Sequence, residues 1–507
     1  LKRPREAADT FRAAAAIAPA SAPARLGLAV ELLQLGELEE AASSAEAAVA
    51  LDPRSALGWF ALGAARRRMG GYAQAAEALE TSLRLDPERR AACLGLGLVY
   101  VELDRLDLAE RWLARAVELG PDDQEAHASL AALYCSRDRL DLGRRHALRA
   151  LELAPKMVAA HQTLGRILTR EGREAEARPH RDFAFRARNV FVAEAARPRQ
   201  RVLLISAADR GNVPERHLLP TDRYTRIYWY IEYASRRQAA ALPAYDVVFN
   251  AIGDDDEADA TAGKVAAFVA TCERPIFNRP EAVARTRRHL IPALVGDIAG
   301  LVAPTTVRIE AGALAKTGLE AAAREAGVTP PYLVRAIGSH GGDGLTRIAT
   351  PEAARSFSPS SGRDHYVTAF ADFRSADGLY RKYRVIFVDR TPYPYHLAVA
   401  DTWMVHYQTS GMAARPDRLA EERRFLEDPE AALGHSAMEA LGDLARRLDL
   451  DFAGADFASL ADGRLLLFEA NATMLVHPEA PDGPLAHKNP HVERIFAAFR
   501  GMLAGMS

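Results

Sequence analysis

At 507 residues the chain exceeds what one hydrophobic core organises, so two or three domains are expected. Its 49% apolar and 26% charged residues are ordinary for a globular protein. At a formal net charge of -2, neither a nucleic-acid footprint nor an acidic tail shows at the level of the whole chain. Cys93, Cys135 and Cys272 lack paired metal spacing and read as reduced thiols. No apolar stretch reaches the roughly 18–20 residues of a membrane span. Leu1–Glu6 has neither an initiator Met nor an apolar secretory core. The expectation is therefore a trimmed, cytoplasmic chain without nucleic-acid or membrane partners.

The front of the chain is periodic. Pro19, Pro53, Pro87, Pro121 and Pro155 are spaced 34 residues apart. Ten residues after each proline stands a small residue: Ala29, Gly63, Gly97, Ala131, Gly165. A second ladder holds Gly36, Gly70, Asp104, Asp138 and Gly172, and a third Ala41, Ala75 and Ala109. Within one repeat, Leu57, Trp59, Phe60 and Leu62 open a first helix, and Gly70-Gly71 breaks the chain. Tyr72, Ala75, Ala76, Leu79 and Leu83 form an amphipathic second helix. Leu85-Asp86-Pro87 ends it, because proline lacks an amide proton and disfavours helix in the residue before it. The three ladders resemble tetratricopeptide repeats. Such pairs bury their apolar faces only by stacking, so residues 1–190 are expected to form an all-α solenoid, with 173–190 as a capping helix. Its groove suits a peptide or protein substrate; the alternative is a spacer or self-association module that forms a homodimer.

After residues 196–201 the texture changes. Val202–Ser206 and Tyr245–Asn250 read as buried strands alternating with helical segments, which predicts an α/β region. Pro331–Ile337 reads as a strand running into Gly338-Ser339-His340-Gly341-Gly342-Asp343-Gly344. Such a loop lets backbone amides approach phosphates, yet no Gly-Lys-Ser/Thr follows and no helix opens there. Farther on, Phe452–Phe457 and Leu465–Asn471 flank an Asp462-Gly463 turn and read as a hairpin. Glu469 and Asn471 are two apart and project from one strand face, and Asp456 can meet them from the partner strand. Two carboxylates and an amide oxygen are a hard-oxygen set suited to magnesium on nucleotide phosphates.

A glycine loop after a basic strand residue, followed by Asp…Glu-x-Asn, resembles the ATP-grasp superfamily over roughly 200–507, with glutathione synthetases and ribosomal-protein glutamate ligases as relatives. Phe277-Asn278-Arg279-Pro280 is similar to a short glutathione-synthetase motif. The resemblance implies a multidomain fold: a tetratricopeptide solenoid (1–190), an α/β pre-ATP-grasp domain (200–300) and an α+β ATP-grasp catalytic domain (301–507). It implies ATP and Mg2+ as cofactors, with Asp456, Glu469 and Asn471 as metal ligands. Arg335 stands where the family usually has a phosphate-binding lysine, and a guanidinium can supply that charge. Ser339, His340, Gly341 and Gly342 fall in the phosphate loop, and Thr368, Ala369 and Phe370 in the adenine hinge. Arg384 falls at the catalytic arginine that steadies the transferred phosphoryl group, and Arg288 at a basic residue near the phosphates. His396, Trp403, His406, Tyr407 and Lys488 border this region and are candidate substrate contacts. The implied activity is carboxylate–amine ligation through an acyl phosphate, on a peptide or protein held by the repeats. The alternatives are a kinase phosphorylating a hydroxyl, and a scaffold whose nucleotide site is degenerate.

Overall fold

A computed structural model describes residues 4–195, 197–208, 212–235, 238–254, 256, 261–339, 342, 344–359, 362–407 and 409–505. The chain divides into two compact units. The first comprises residues 1–203 and 220–245, the second 204–219 and 246–507.

The first unit opens with eleven helices: α1 (Pro4–Ile17), α2 (Ala22–Leu35), α3 (Leu38–Leu51), α4 (Ala56–Arg68), α5 (Tyr72–Leu85), α6 (Arg90–Glu102), α7 (Leu106–Leu119), α8 (Gln124–Ser136), α9 (Leu140–Leu153), α10 (Val158–Arg170) and α11 (Glu174–Ala187). From α2 onward they pair as helical hairpins, and each hairpin packs on the next. The segment expected to cap the array is mostly α11, the second helix of the fifth hairpin, paired with α10 as α9 is with α8.

Each sequence ladder has its own physical cause. Gly36, Gly70, Asp104, Asp138 and Gly172 close the first helices, and all five adopt positive φ. Glycine enters that region freely and aspartate tolerates it better than most residues. The small-residue ladder sets the distance between paired helices. A Cβ on Gly63 would lie 2.6 Å from Leu79 Cγ, and one on Gly97 would lie 2.6 Å from Leu113 Cγ. Where the first-helix residue is alanine, the second-helix residue at the same repeat position is alanine too. Ala29 and Ala45 share one buried cluster, and Ala131 and Ala147 share another. Volume is thus conserved pairwise, small with large or medium with medium.

Two repeats also carry a histidine pair. His127 and His146 meet Nδ1 to Nδ1 at 2.9 Å, and His161 and His180, each 34 residues later, meet at 2.7 Å. The first ring of each pair donates through Nε2 to a backbone carbonyl, Pro121 at 3.0 Å and Pro155 at 2.9 Å. That bond fixes its tautomer and leaves Nδ1 as the acceptor. Past α11, strand β1 (Val190–Ala193) pairs antiparallel with β3 (Tyr224–Tyr230), and Phe185 packs its ring 4.4 Å from that of Tyr230. Strand β2 (Gln200–Ser206) begins in the first unit and ends in the second.

The second unit contains β4 (Val247–Asn250) parallel to β5 (Ile276–Phe277), and two further sheets. One has the order β7 (Thr306–Ile309), β10 (His365–Ala369), β8 (Tyr332–Ala336), β9 (Thr346–Ile348) and is antiparallel throughout. Helix 311–325 covers it through Leu314, Leu319 and Ala323, which cluster with Tyr332, Val334 and Val367. The other has the order β12 (Thr391–Ala400), β11 (Tyr380–Val388), β13 (Phe452–Ser459), β14 (Leu465–Asn471), β6 (Leu301–Val302). Only β6 lies parallel to its neighbour in that sheet. The hairpin expected around Asp462-Gly463 joins β13 to β14, with Gly463 at φ 83°. Two β-bulges interrupt this sheet: Tyr395 is the extra residue of β12 opposite Arg384/Val385, and Phe468 that of β14 opposite Asp456/Phe457.

Candidate functional site

The two larger sheets of the second unit border a cleft of about 920 Å³. Its floor is set by strand register. His396 on β12 is opposite Arg384 on β11, Arg384 is opposite Asp456 on β13, and Asp456 is opposite Glu469 on β14. Directly opposed residues share a sheet face, so four polar side chains form one row across four strands. Asn471, two residues past Glu469, joins the same face. The candidate residues Arg384, Asp456, Glu469 and Asn471, widely separated in sequence, thus line one surface of the cleft.

The row is electrostatically closed. Arg384 grips Asp456 with both ends of its fork, Nε–Oδ1 at 2.5 Å and Nη2–Oδ2 at 2.8 Å, and Lys382 Nζ adds a contact to Oδ2 at 3.1 Å. Burial alone would raise the Asp456 pKa, but Arg384 and Lys382 outweigh it and hold the carboxyl well below the usual range. Glu469 Oε2 accepts from Arg288 Nη2 at 2.5 Å and Oε1 from Asn471 Nδ2 at 2.6 Å. Burial again opposes ionisation, and Arg288 overrides it to leave Glu469 at about 2. The Asn471 amide oxygen accepts from the Thr473 amide at 2.9 Å and hydroxyl at 3.0 Å. Lys382, absent from the sequence-derived site, was findable: it is two residues before Arg384 on the same strand, hence on the same face.

The opposite wall belongs to the four-stranded sheet. Arg335 leaves β8 toward the cleft and donates Nε to Ser339 Oγ at 3.1 Å, while its Nη2 is buried with no partner. Burial, then the nearby Arg288, lowers its pKa to about 10. Ser339 and Gly342 line the cleft; His340 and Gly341 lie outside the described residues. At the end of β10 the amide of Ala369 donates to Thr305 O at 2.9 Å and that of Phe370 to Pro331 O at 3.0 Å. Arg347 stacks 3.9 Å over Phe370, and Trp403 meets the ring edge-on at 5.8 Å.

The far end of the cleft holds the residues that matched no motif. Lys488 is 1% exposed, bonded to Glu479 at 2.7 Å and set between the rings of Tyr395 and Tyr407. His396 stacks on Tyr407, and its Nε2 is buried without a partner. Burial, then Arg384, pushes its pKa well below the ordinary imidazole value, so the ring is neutral. His406 is lowered chiefly by burial as well, and its Nδ1 is likewise buried without a partner. Beneath them Glu422, fully buried, accepts from the Leu397 amide at 3.2 Å and from the Tyr407 hydroxyl at 3.0 Å. Its signal was present: Leu419, Glu422, Phe425 and Leu426 are spaced as one apolar helix face interrupted by a single acid.

The donor set fits a hard cation chemically, with two ionised carboxylates and an amide oxygen on adjacent positions of one face. Among the described residues no three His, Cys, Asp or Glu side chains converge as a metal cage. A cation held here would therefore draw its remaining ligands from phosphate oxygens and water.

Two tetratricopeptide-repeat profiles match the chain, over residues 1–56 and 67–133. Among solved structures the chain is similar to YrrB, described as a tetratricopeptide-repeat protein with an unusual peptide-binding site. The identity is 26%, over 36% of this chain and 94% of that one, at a TM-score of 0.31. MamA from Desulfovibrio magneticus RS-1 is 23% identical over 33% of this chain and 97% of its own, at 0.30. The Cut9–Hcn1 assembly of the APC/C is 18% identical over 36% of each chain, at 0.34. No curated protein matches the sequence. Among the described residues no helix is long and apolar enough to cross a membrane. Helical periodicity, paired-helix packing and profile matches agree: the first 190 or so residues are an array of tetratricopeptide repeats, a protein-interaction module, followed by a mixed α/β region.

Proposed function

We propose that the second unit is an ATP-grasp-type ligase that joins a carboxylate to an amine at the expense of ATP, acting on a peptide or protein recruited by the repeats. The observation that carries this reading is the row Arg384–Asp456–Glu469 with Asn471, facing the buried, unpartnered Nη2 of Arg335 across one cleft. Acid and base patterns of hydrolases are a poor match, since the row pairs strong cations with fully ionised carboxylates and offers no activated nucleophile.

Each side chain has a task in such a reaction. Arg335 and Arg288 bind the polyphosphate from opposite sides, and Ser339 orients Arg335. Arg384, held in plane by Asp456, presents its charge where the phosphoryl group passes to the substrate carboxylate. Asp456, Glu469 and Asn471 would hold Mg2+, which when bound supplies further neutralisation of developing phosphate charge. The aromatic end with neutral His396 and His406 receives the organic substrate and excludes water. Catalysis is then positioning and electrostatics, with no covalent enzyme intermediate.

The test uses the full chain. Calorimetry should detect Mg·ATP binding, and phosphorus NMR with pooled carboxylic acids and amines should show ADP and free phosphate. A phosphorylated organic product would convert the reading to a kinase. A folded chain that binds no nucleotide would refute it and leave a repeat scaffold.

A further inference from the structure

Every oxygen that could ligate a cation in the row is already accepting a protein hydrogen bond. Asp456 Oδ1 and Oδ2 face Arg384, with Lys382 also on Oδ2. Glu469 Oε2 faces Arg288 and Oε1 faces the Asn471 amide; Asn471 Oδ1 faces Thr473. Three cationic side chains therefore occupy the two carboxylates, and both acids are at least half shielded from water. A bare divalent ion would have to displace these cations into a cleft that already holds Arg335 with an unpartnered Nη2. Like charges crowded in a partly buried cleft repel strongly, so that displacement is unfavourable by itself. A polyphosphate changes the balance. Its oxygens offer Arg288 and Lys382 new partners, which frees Glu469 Oε2 and relieves Asp456 Oδ2 of one of its two contacts for the ion, while Arg335 gains a partner for its Nη2.

We infer that Arg288 and Lys382 are built-in counter-ions that close the metal site until a polyphosphate arrives, so that the divalent ion and the nucleotide bind as one unit. This rests on the nucleotide assignment above, and adds to it an order: phosphate anion first or together, never the ion alone. The coupling is reciprocal, since whatever the anion does for the cation's affinity the cation does for the anion's. No covalent step is involved, and inorganic tripolyphosphate should open the site as ATP does.

Electron paramagnetic resonance of Mn2+ with the full chain tests this. Mn2+ alone should bind weakly, and in the presence of tripolyphosphate or a non-hydrolysable ATP analogue its affinity should rise by roughly 10–100-fold. Arg288→Gln releases Glu469 and should tighten binding of Mn2+ alone by roughly tenfold or more, while Arg288→Lys, which keeps the charge, should not. Lys382→Gln, read in the same way at Asp456, serves if the Arg288 variant fails to fold. Mn2+ alone binding the parent as tightly as with the analogue would overturn the inference and leave the nucleotide site standing. An Arg288→Gln chain, folded by circular dichroism, that binds bare Mn2+ no better than the parent would overturn it too. Absence of analogue binding by calorimetry would instead remove the nucleotide assignment, and this inference with it.

Discussion

The pairwise volume exchange in the repeats makes a quantitative prediction. Gly97→Ala places a Cβ 2.6 Å from Leu113 Cγ, 2.8 Å from its Cδ2 and 3.1 Å from the Leu113 backbone nitrogen. The leucine tip can turn, but the backbone nitrogen cannot, so helices α6 and α7 must separate. Overpacking of this kind costs about 1–3 kcal/mol, offset by about 1 kcal/mol from replacing a mid-helix glycine with alanine. Leu113→Ala alone opens a cavity at a fully buried position and should cost about 2–5 kcal/mol. The double variant recreates the alanine–alanine arrangement of Ala29/Ala45 and Ala131/Ala147. It should be more stable than the sum of the single changes by about 1–3 kcal/mol, the size of the relieved overpacking. Urea denaturation followed by far-UV circular dichroism closes the cycle. Additivity within about 0.5 kcal/mol would refute the idea that these two positions set the interhelical spacing.

Other consequences are open to measurement. Arg335→Met removes a guanidinium with an unsatisfied buried nitrogen, so the melting temperature should hold or rise. Mg·ATP affinity should fall by about 1.5–3 kcal/mol, the worth of a charged hydrogen bond; a lower melting temperature with unchanged affinity would assign the residue to structure alone. Asp456→Asn strands Arg384 and Lys382 against each other and should destabilise by about 3–5 kcal/mol in chemical denaturation. The histidine pairs make the solenoid acid-sensitive. Burial, with the facing histidine next, lowers the pKa of His146 and of His180 in the fold. The unfolded chain therefore takes up protons first; stability is full above about pH 6.5 and declines as pH falls from there through the lower folded values. His146→Gln with His180→Gln should flatten that decline in melting curves between neutral and mildly acid pH, and an unchanged slope would exclude the pairs as its source.

The repeats were legible because their contacts are local: the small residues Gly63, Gly97 and Gly165 each meet a residue of the second helix of their own hairpin, and the same meeting recurs every 34 residues. The β13–β14 hairpin was legible for the same reason, with Asp456 and Glu469 only a turn apart. What could not be read was which distant side chains meet. Arg288 reaches Glu469 across 181 residues of chain, and Tyr366 reaches Asp256 across 110. No periodicity encodes such meetings, since they depend on how sheets close around the cleft. The residues flanking the expected boundary near 190–200 were equally opaque. Residues 220–245 belong with the repeats because β3 pairs with β1, a strand too short to announce a distant partner. Removing the repeats by truncation at 190 would take Phe185 away from the Tyr230 ring and Asp182 away from the Tyr233 hydroxyl, so substitutions inside the array are the cleaner probe of its binding role.

The two bulges give the cleft an unequal tolerance to change in chain length. Tyr395 and Phe468 are each one residue in excess of the pairing strand, and each lies directly beside a member of the row. Side chains alternate faces at every step of a strand. Deleting either aromatic would remove the bulge and leave Glu469 opposite Asp456, or His396 opposite Arg384, whereas deleting a regularly paired residue of β12 or β14 would turn part of the row into the opposite layer. Insertions in the exposed turn 461–464 leave that parity untouched. Length variation over evolution should therefore collect at the turn and at the two bulge positions, while the number of regularly paired residues in β12 and β14 stays fixed.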